Sequence, residues 1–305
     1  MNKKLSPYSS NTYDPSKENN TWYKMIHLIP EGSEVLDIGC SAGNFGEALQ
    51  RERNAKVDGV DITEADVKLA SKRLRKAWVM NIEDDPLPQQ KYDVVVFADV
   101  LEHMRDPVAV LKKVKGMLRP GGIVIFSIPN MAHISVRLDL MKGSFNYTET
   151  GLLDYTHLHF YEETEVRRIF DESAYEIQEF DCTTFDYPEK LIKEKLSHLG
   201  LKPSLRFLKL ASSKQATIFE YVGYAKPLSK GAVAVSPRLK SSPVDEVMAY
   251  VARIEAAHTS TVKDLKAKIK LSDEHIAKLE QIIAVERAER SRPLTEKLLR
   301  KIKRR

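Results

Sequence analysis

Three groups of residues in this chain have the types and spacing to do chemistry. In Val35-Leu-Asp-Ile-Gly-Cys-Ser-Ala-Gly43 a carboxylate, Asp37, stands two residues ahead of Gly39, and small residues lead from an apolar run into a helical pattern at Asn44–Arg53. Such a turn lets the backbone approach a ligand closely at a helix N-terminus. A second carboxylate, Asp61, ends the next apolar run, 24 residues after Asp37; an acid so placed accepts the hydroxyls of a ribose. The third group is Asp99-Val-Leu-Glu102-His103. An imidazole with an unperturbed pKa near about 6.5 suits removal of a proton from a hydroxyl nucleophile, and Glu102 stands beside it.

The first turn separates two cofactor classes. A dinucleotide site needs three glycines for its pyrophosphate, and the frame from Gly39 supplies Gly39, Ser41 and Asn44. The acid ahead of the turn also disfavours a diphosphate. It suits a ligand carrying an ammonium group, such as the methionine moiety of S-adenosylmethionine.

The elements that must position these groups alternate. Apolar strands read at Glu34–Ile38, Lys56–Val60, Ala77–Met80, Asp93–Phe97 and Gly122–Ile128, with helical patterns at Tyr23–Ile29, Asn44–Arg53, Ala65–Leu74 and Pro107–Leu118. This order predicts an α/β fold with a parallel sheet covered on both faces. An irregular segment (130–162), a helix at Glu163–Glu172, a strand at Glu176–Phe180, a helical insertion (188–210) and a last strand at Ala216–Tyr224 complete it. On the irregular segment, Tyr155, His157, His159 and Tyr161 fall within seven positions, and with His133 they read as the lining of an acceptor pocket.

Residues 22–225 resemble a class I S-adenosylmethionine-dependent methyltransferase. The resemblance rests on Val35–Gly43, Gly59-Val-Asp-Ile62, Asn81-Ile-Glu83, Tyr92–Pro107 and Leu118–Asn130, in that order. It implies a Rossmann-like, seven-stranded methyltransferase sheet. It further implies that Asp37, Gly39, Ser41 and Gly43 hold the methionine end and that Asp61 binds the ribose. Ile62 would pack on the adenine, Asn81 and the Ile82 backbone would meet its edge, and Ala98 would lie beside the methionine. Ser41 replaces the family's usual middle glycine, and Asn81 stands where Asp is common. The Glu102-His103 step resembles that of ubiquinone-type O-methyltransferases, which makes these two the candidate catalytic residues and a small-molecule or glycan hydroxyl the candidate acceptor. Asp99, Glu102, His103 and His157 also resemble the metal site of RNA 3′-end methyltransferases; that family's full pattern is missing, and no metal is expected.

Charge divides the chain. Residues 226–305 hold 19 basic and 10 acidic side chains, against 29 basic and 33 acidic before them. Residues 1–21 read as a flexible arm or substrate-side lid, and Lys226–Pro243 as a linker. Residues 244–305 read as a long amphipathic helix with a basic end: Val247, Val251, Ile254, Val262, Leu265, Ile269, Ile276, Leu279 and Ile283 share one stripe. A strict heptad would put Lys268, Ser272 and His275 in the seam, so the coiled-coil signal is weak. Residues 244–290 suit a homodimer or a partner protein, and a regulatory protein acting through them is the alternative to an enzyme. The end, 294–305, has six basic residues among its last nine and suits an anionic membrane surface; nucleic acid is not expected, because no aromatics interleave with the basic residues. Two cysteines supply neither a disulfide framework nor a cysteine zinc site, and the polar start shows no secretory pattern. The expected compartment is the cytoplasm, with peripheral contact at the inner membrane face as the tail's contribution.

Overall fold

The computed structural model describes residues 5–229 and seven later positions, Ala267, Lys270, Glu274, Ala277, Lys278, Gln281 and Ala284, each helical and exposed. The chain divides into two units, Met1–Ser242 and Pro243–Arg305. The apolar stripe of the second unit, most of the proposed linker and the basic end lie outside the described residues.

Seven strands, β1 (Glu34–Ile38), β2 (Lys56–Asp61), β3 (Lys76–Val79), β4 (Tyr92–Ala98), β5 (Leu118–Pro129), β6 (Tyr175–Thr184) and β7 (Ile218–Pro227), form one sheet in the order β3-β2-β1-β4-β5-β7-β6. β1 is central because Val35, Leu36 and Ile38 are buried and it pairs in parallel with both β2 and β4. Within residues 5–229 the α-helices are α1 (Thr21–Leu28), α2 (Asn44–Arg53), α3 (Glu64–Ala70), α4 (Pro107–Val114), α5 (Ile134–Met141), α6 (Glu163–Glu172), α7 (Glu189–Ser197), α8 (Leu205–Ala211) and α9 (Lys214–Thr217). Met25, Ile26, Phe45 and Leu49 of α1 and α2 pack on one face of the sheet. Val110, Leu111, Val166 and Phe170 of α4 and α6 pack on the other. A small third core joins α5, α7 and α8 through Ile134, Leu138, Ile192, Leu196 and Leu208.

The sheet is mixed rather than all parallel. β7 enters between β5 and β6 and runs antiparallel to both. β6 arrives after the α6 crossover one strand-width away from β5, and the chain returns through α7–α9 to fill that gap. An apolar strand buried on both faces reads the same in either direction, so hydropathy alone does not show this reversal. β7 also extends through Lys226 and Pro227, which pair with Glu176 and Tyr175; the linker expected from Lys226 therefore starts inside a strand. Within the segment expected to be irregular, α5 forms behind His133, whose side chain accepts the backbone N–H of Ser135.

The far edge of the sheet holds a buried charge. Asp58 of β2 is fully buried and takes two hydrogen bonds from Arg75, both 2.8 Å, and one from the Tyr92 hydroxyl at 3.0 Å. A carboxylate in a strand core survives only with such complete pairing. It ties β2 to β4 at the end opposite the catalytic side, where it stiffens the frame that carries the site.

Candidate active site

A cleft of about 590 Å³ opens at the carboxyl ends of β1, β2 and β4, where parallel sheets bind ligands. Asp37, one residue before the end of β1, projects into it. The carboxylate is 2% exposed and its Oδ2 has no hydrogen-bond partner among the described residues. Burial, aided by the charge of Asp61, pushes its pKa up to about 8. An orphaned buried carboxylate is costly and fits an ammonium group brought by a ligand.

The turn behind Asp37 is shaped by backbone demands. Gly39 has φ +72, and a Cβ there would stand 2.6 Å from Cγ2 of Val100, so a side chain would drive the turn out of its seat. Ser41 also lies in the left-handed region, φ +44, without being glycine. Its N–H donates to Oδ2 of Asp61 at 2.9 Å, while its hydroxyl meets that of Ser6 at 3.0 Å. Asp61 receives the N–H of Thr63 on Oδ1 at 2.8 Å, which leaves both oxygens with lone pairs for a diol. Ile62 is 72% exposed at the rim and Ile82 is buried in the wall, and both line the cleft with Ala98.

The other half of the cleft holds the imidazoles. Glu102 and His103 lie on a short 3₁₀ turn after β4. Glu102 is fully buried, and neither carboxylate oxygen has a hydrogen bond among the described residues. Burial and then the charge of Asp99 raise its pKa well above the usual carboxylate range. Nε2 of His103 lies 4.0 Å and Nε2 of His157 3.9 Å from Oε1 of Glu102. The two rings meet edge to face at 4.7 Å. Burial lowers both imidazoles below the usual range; the carbonyl of Thr156 partly offsets this for His103, whereas His103 adds to it for His157. Both are therefore held neutral near neutral pH. The three side chains bring ligand atoms within 4.8 Å of one another; Asp99 stands outside that group, on the hydroxyl of Ser127.

Not every expected residue reaches the cleft. Gly43 caps α2 with φ +83 and sits against Ala70 of α3, behind the lining rather than in it. Asn81 lines the cleft, but its amide is committed locally: Nδ2 donates to Asp84 and Oδ1 accepts the N–H of Glu83. His133, expected in the acceptor pocket, is buried at the N-cap of α5, where its Nδ1 meets Ser135 and its Nε2 the carbonyl of Phe185. His159 points away, to the carbonyl of Arg105 and the ring of Tyr161. Tyr155, 63% exposed, and His157 do line the cleft.

Tyr8, Thr156 and Glu220 line the cleft with no chemical signal in the sequence, beside Asp99, whose carboxylate the sequence did mark. Asp99 has φ +54, a strained backbone that turns its carboxylate beside Ser127. Tyr8 and Thr156 both donate to Asp154. Glu220 of β7 takes the hydroxyl of Thr21. Each is assembled by long-range packing that no local pattern encodes.

An orphaned acid near the end of β1, an acid with free lone pairs at the end of β2 and a glycine turn between them face one cleft of an α/β protein. Residues 18–179 match a family model described as a methyltransferase domain. The chain belongs to the class I S-adenosylmethionine-dependent methyltransferases. It is similar to the ubiquinone biosynthesis O-methyltransferase of Idiomarina loihiensis, 30% identical over 194 residues that cover 57% of this chain and 78% of that protein. It is 35% identical to the Acinetobacter baylyi enzyme of the same name over 107 residues, 32% of this chain and 44% of that one, so it spans less than half the length of that relative. Among solved structures, a Methanosarcina mazei protein described as a SAM-dependent methyltransferase is 19% identical, with 68% of this chain and 98% of that chain covered and a TM-score of 0.47.

Proposed function

We propose that the chain transfers a methyl group from S-adenosylmethionine to a hydroxyl of a small-molecule or glycan-type acceptor. The observation that carries the reading is that the orphaned Asp37 and the neutral His103 open onto the same cleft. Bound S-adenosylmethionine supplies an electrophilic methyl on a sulfonium. Asp37 pairs with the ligand's ammonium, Asp61 accepts its ribose hydroxyls, and Ile62 and Ile82 cover its adenine. Ala98, with only a methyl side chain, leaves room at the reacting end.

His103 takes the proton of the acceptor hydroxyl as it attacks, which general base catalysis requires of a group with a pKa near or below neutrality. Glu102, 4.0 Å from Nε2, is the acid beside the base and can give up its own proton as the imidazole gains one. Tyr155 and His157 shape the acceptor side. The acceptor end is lined by Asp99, Glu102, Asp154 and Glu220, and among the described residues the cleft lining includes no lysine or arginine. A wall without a cation gives a phosphate or carboxylate no partner, and the ionised Asp154 repels it, so an uncharged hydroxyl compound fits it better. The name O-methyltransferase carried by the relatives supports oxygen as the receiving atom. In this reading the enzyme works in the cytoplasm, and residues 294–305 hold it near membrane-linked substrate.

The test is methyl transfer from labelled S-adenosylmethionine across neutral glycosides, catechols, sugar phosphates and uronic acids. Transfer to the neutral hydroxyl compounds is expected. Transfer confined to the anionic acceptors, or none to any hydroxyl, would contradict the reading.

A further inference from the structure

His103 is connected to the N-terminal arm by hydrogen bonds whose directions are forced. Asp154 receives the hydroxyl of Tyr8 on Oδ2, and the hydroxyl and N–H of Thr156 on Oδ1 at 2.7 and 2.8 Å. Burial works against its charge, but these donors outweigh it and hold the carboxyl below the usual range. Burial and the nearby acids raise the Tyr8 phenol, so Tyr8 keeps its proton and donates.

An ionised carboxylate only accepts, and a threonine hydroxyl has one hydrogen. The hydrogen of Thr156 is therefore committed to Asp154. Nδ1 of His103 lies 3.0 Å from that hydroxyl oxygen and 3.2 Å from the Thr156 carbonyl. Both are left as acceptors, so Nδ1 must carry the proton of the neutral ring and Nε2 must carry the lone pair. Nε2 makes no hydrogen bond among the described residues, and the acid beside it is Glu102 at 4.0 Å. His157 is the other titratable group packed against the ring.

We propose that Tyr8, Asp154 and Thr156 form a positioning chain that fixes His103 in the Nδ1–H tautomer, with Nε2 presented to the acceptor hydroxyl. This deepens, and rests on, the reading of His103 as the base. The chain also spans the cleft. Two residues before Tyr8, the N–H of Ser6 donates to Asp66 at 3.1 Å and its hydroxyl meets Ser41 of the cofactor turn. Beyond Tyr8, Nδ2 of Asn44 donates to the carbonyls of Ser9 and Asn11 at 2.9 and 2.8 Å. The arm thus grips the cofactor turn on both sides of the residue that reaches Asp154. A strap seated on the cofactor half holds the tautomer in the acceptor half.

The experiment is nitrogen-resolved histidine NMR of the full chain with S-adenosylhomocysteine, His103 being assigned by its loss in His103→Gln. At a pH where the ring is neutral, the wild type shows a pyrrole-type Nδ1 and a pyridine-type Nε2. Thr156→Val leaves the carbonyl as the sole acceptor of Nδ1 and shifts the signals part of the way toward a tautomer mixture, while Thr156→Ser restores the wild-type pattern. Tyr8→Phe keeps its ring and moves the signals toward the mixture. With an acceptor in hand, Thr156→Val and Tyr8→Phe lower kcat at least about tenfold with KM for S-adenosylmethionine nearly unchanged. A wild-type ring protonated on Nε2, or a tautomer insensitive to both Thr156→Val and Tyr8→Phe, overturns the proposal. The NMR result does not depend on turnover, so it is separate from failure of His103 as a base, which is read from His103→Gln activity alone.

Discussion

The N–H of Ser41 donates to Oδ2 of Asp61 at 2.9 Å, so the turn after β1 is pinned to the end of β2. One carboxylate shapes the turn and, in the proposed site, also takes the ribose hydroxyls. Replacing Asp61 with Ala removes both roles, and affinity for S-adenosylmethionine should fall more than about tenfold. Loss of one charge-assisted hydrogen bond already costs about 1.5–3 kcal/mol. Asp61→Asn keeps an acceptor and should lose less. Equal affinity of wild type and Asp61→Ala in calorimetry would remove Asp61 from the site.

The cofactor half of this site was far more legible in the sequence than the acceptor half. Asp37, Gly39 and Asp61 lie at strand ends, and a parallel sheet delivers those ends to one edge whatever surrounds them. His103 was visible for the same reason, as it follows β4. The acceptor residues hang on 130–161 and on the arm, whose geometry depends on contacts such as Tyr8 with Asp154, 146 positions away. Composition therefore placed His133 and His159 in the pocket with His157, and packing separated them. The reversed β7 was hidden because burial on both faces erases strand direction.

His103→Gln should lower methyl transfer by about 10²- to 10⁴-fold, the range for loss of a general base. The wild-type profile carries the sign of the shift. Burial holds the imidazole below its usual 6.5, so the neutral base persists at neutral pH and the rate declines only as pH falls through that lowered pKa. The acid limb should vanish in His103→Gln. A variant with full turnover and the wild-type limb would remove the base from the mechanism.

Arg75→Met should destabilise without changing the chemistry. It leaves the fully buried Asp58 with Tyr92 as its remaining side-chain donor. Breaking a buried pair from one side costs about 3–5 kcal/mol, seen as a lower denaturation midpoint at unchanged slope. Asp58→Asn in the same background should recover part of the loss, since it removes the stranded charge.

Glu102, His103 and His157 have their ligand atoms within 4.8 Å of one another, yet the mechanism uses His103 as a base and assigns no metal. Turnover should survive exhaustive chelation and should not rise when zinc, manganese or magnesium is returned. Activity lost on chelation and regained with one of these ions would turn the triad from acid–base residues into ligands.

The central claim is that the cleft binds S-adenosylmethionine through Asp37. In the free protein its carboxyl is pushed up to about 8, so it holds a proton at about pH 7. Pairing with an ammonium lowers its pKa and releases that proton. Between about pH 6 and 7.5 affinity should therefore rise with pH, by up to about tenfold per unit. Calorimetry of the full chain in buffers of different ionisation enthalpy measures binding and proton release together. One S-adenosylmethionine per chain, with close to one proton released near pH 7 and none in Asp37→Asn, is the predicted result. No binding by the wild type, or binding that Asp37→Asn leaves unchanged in affinity and proton count, would contradict it.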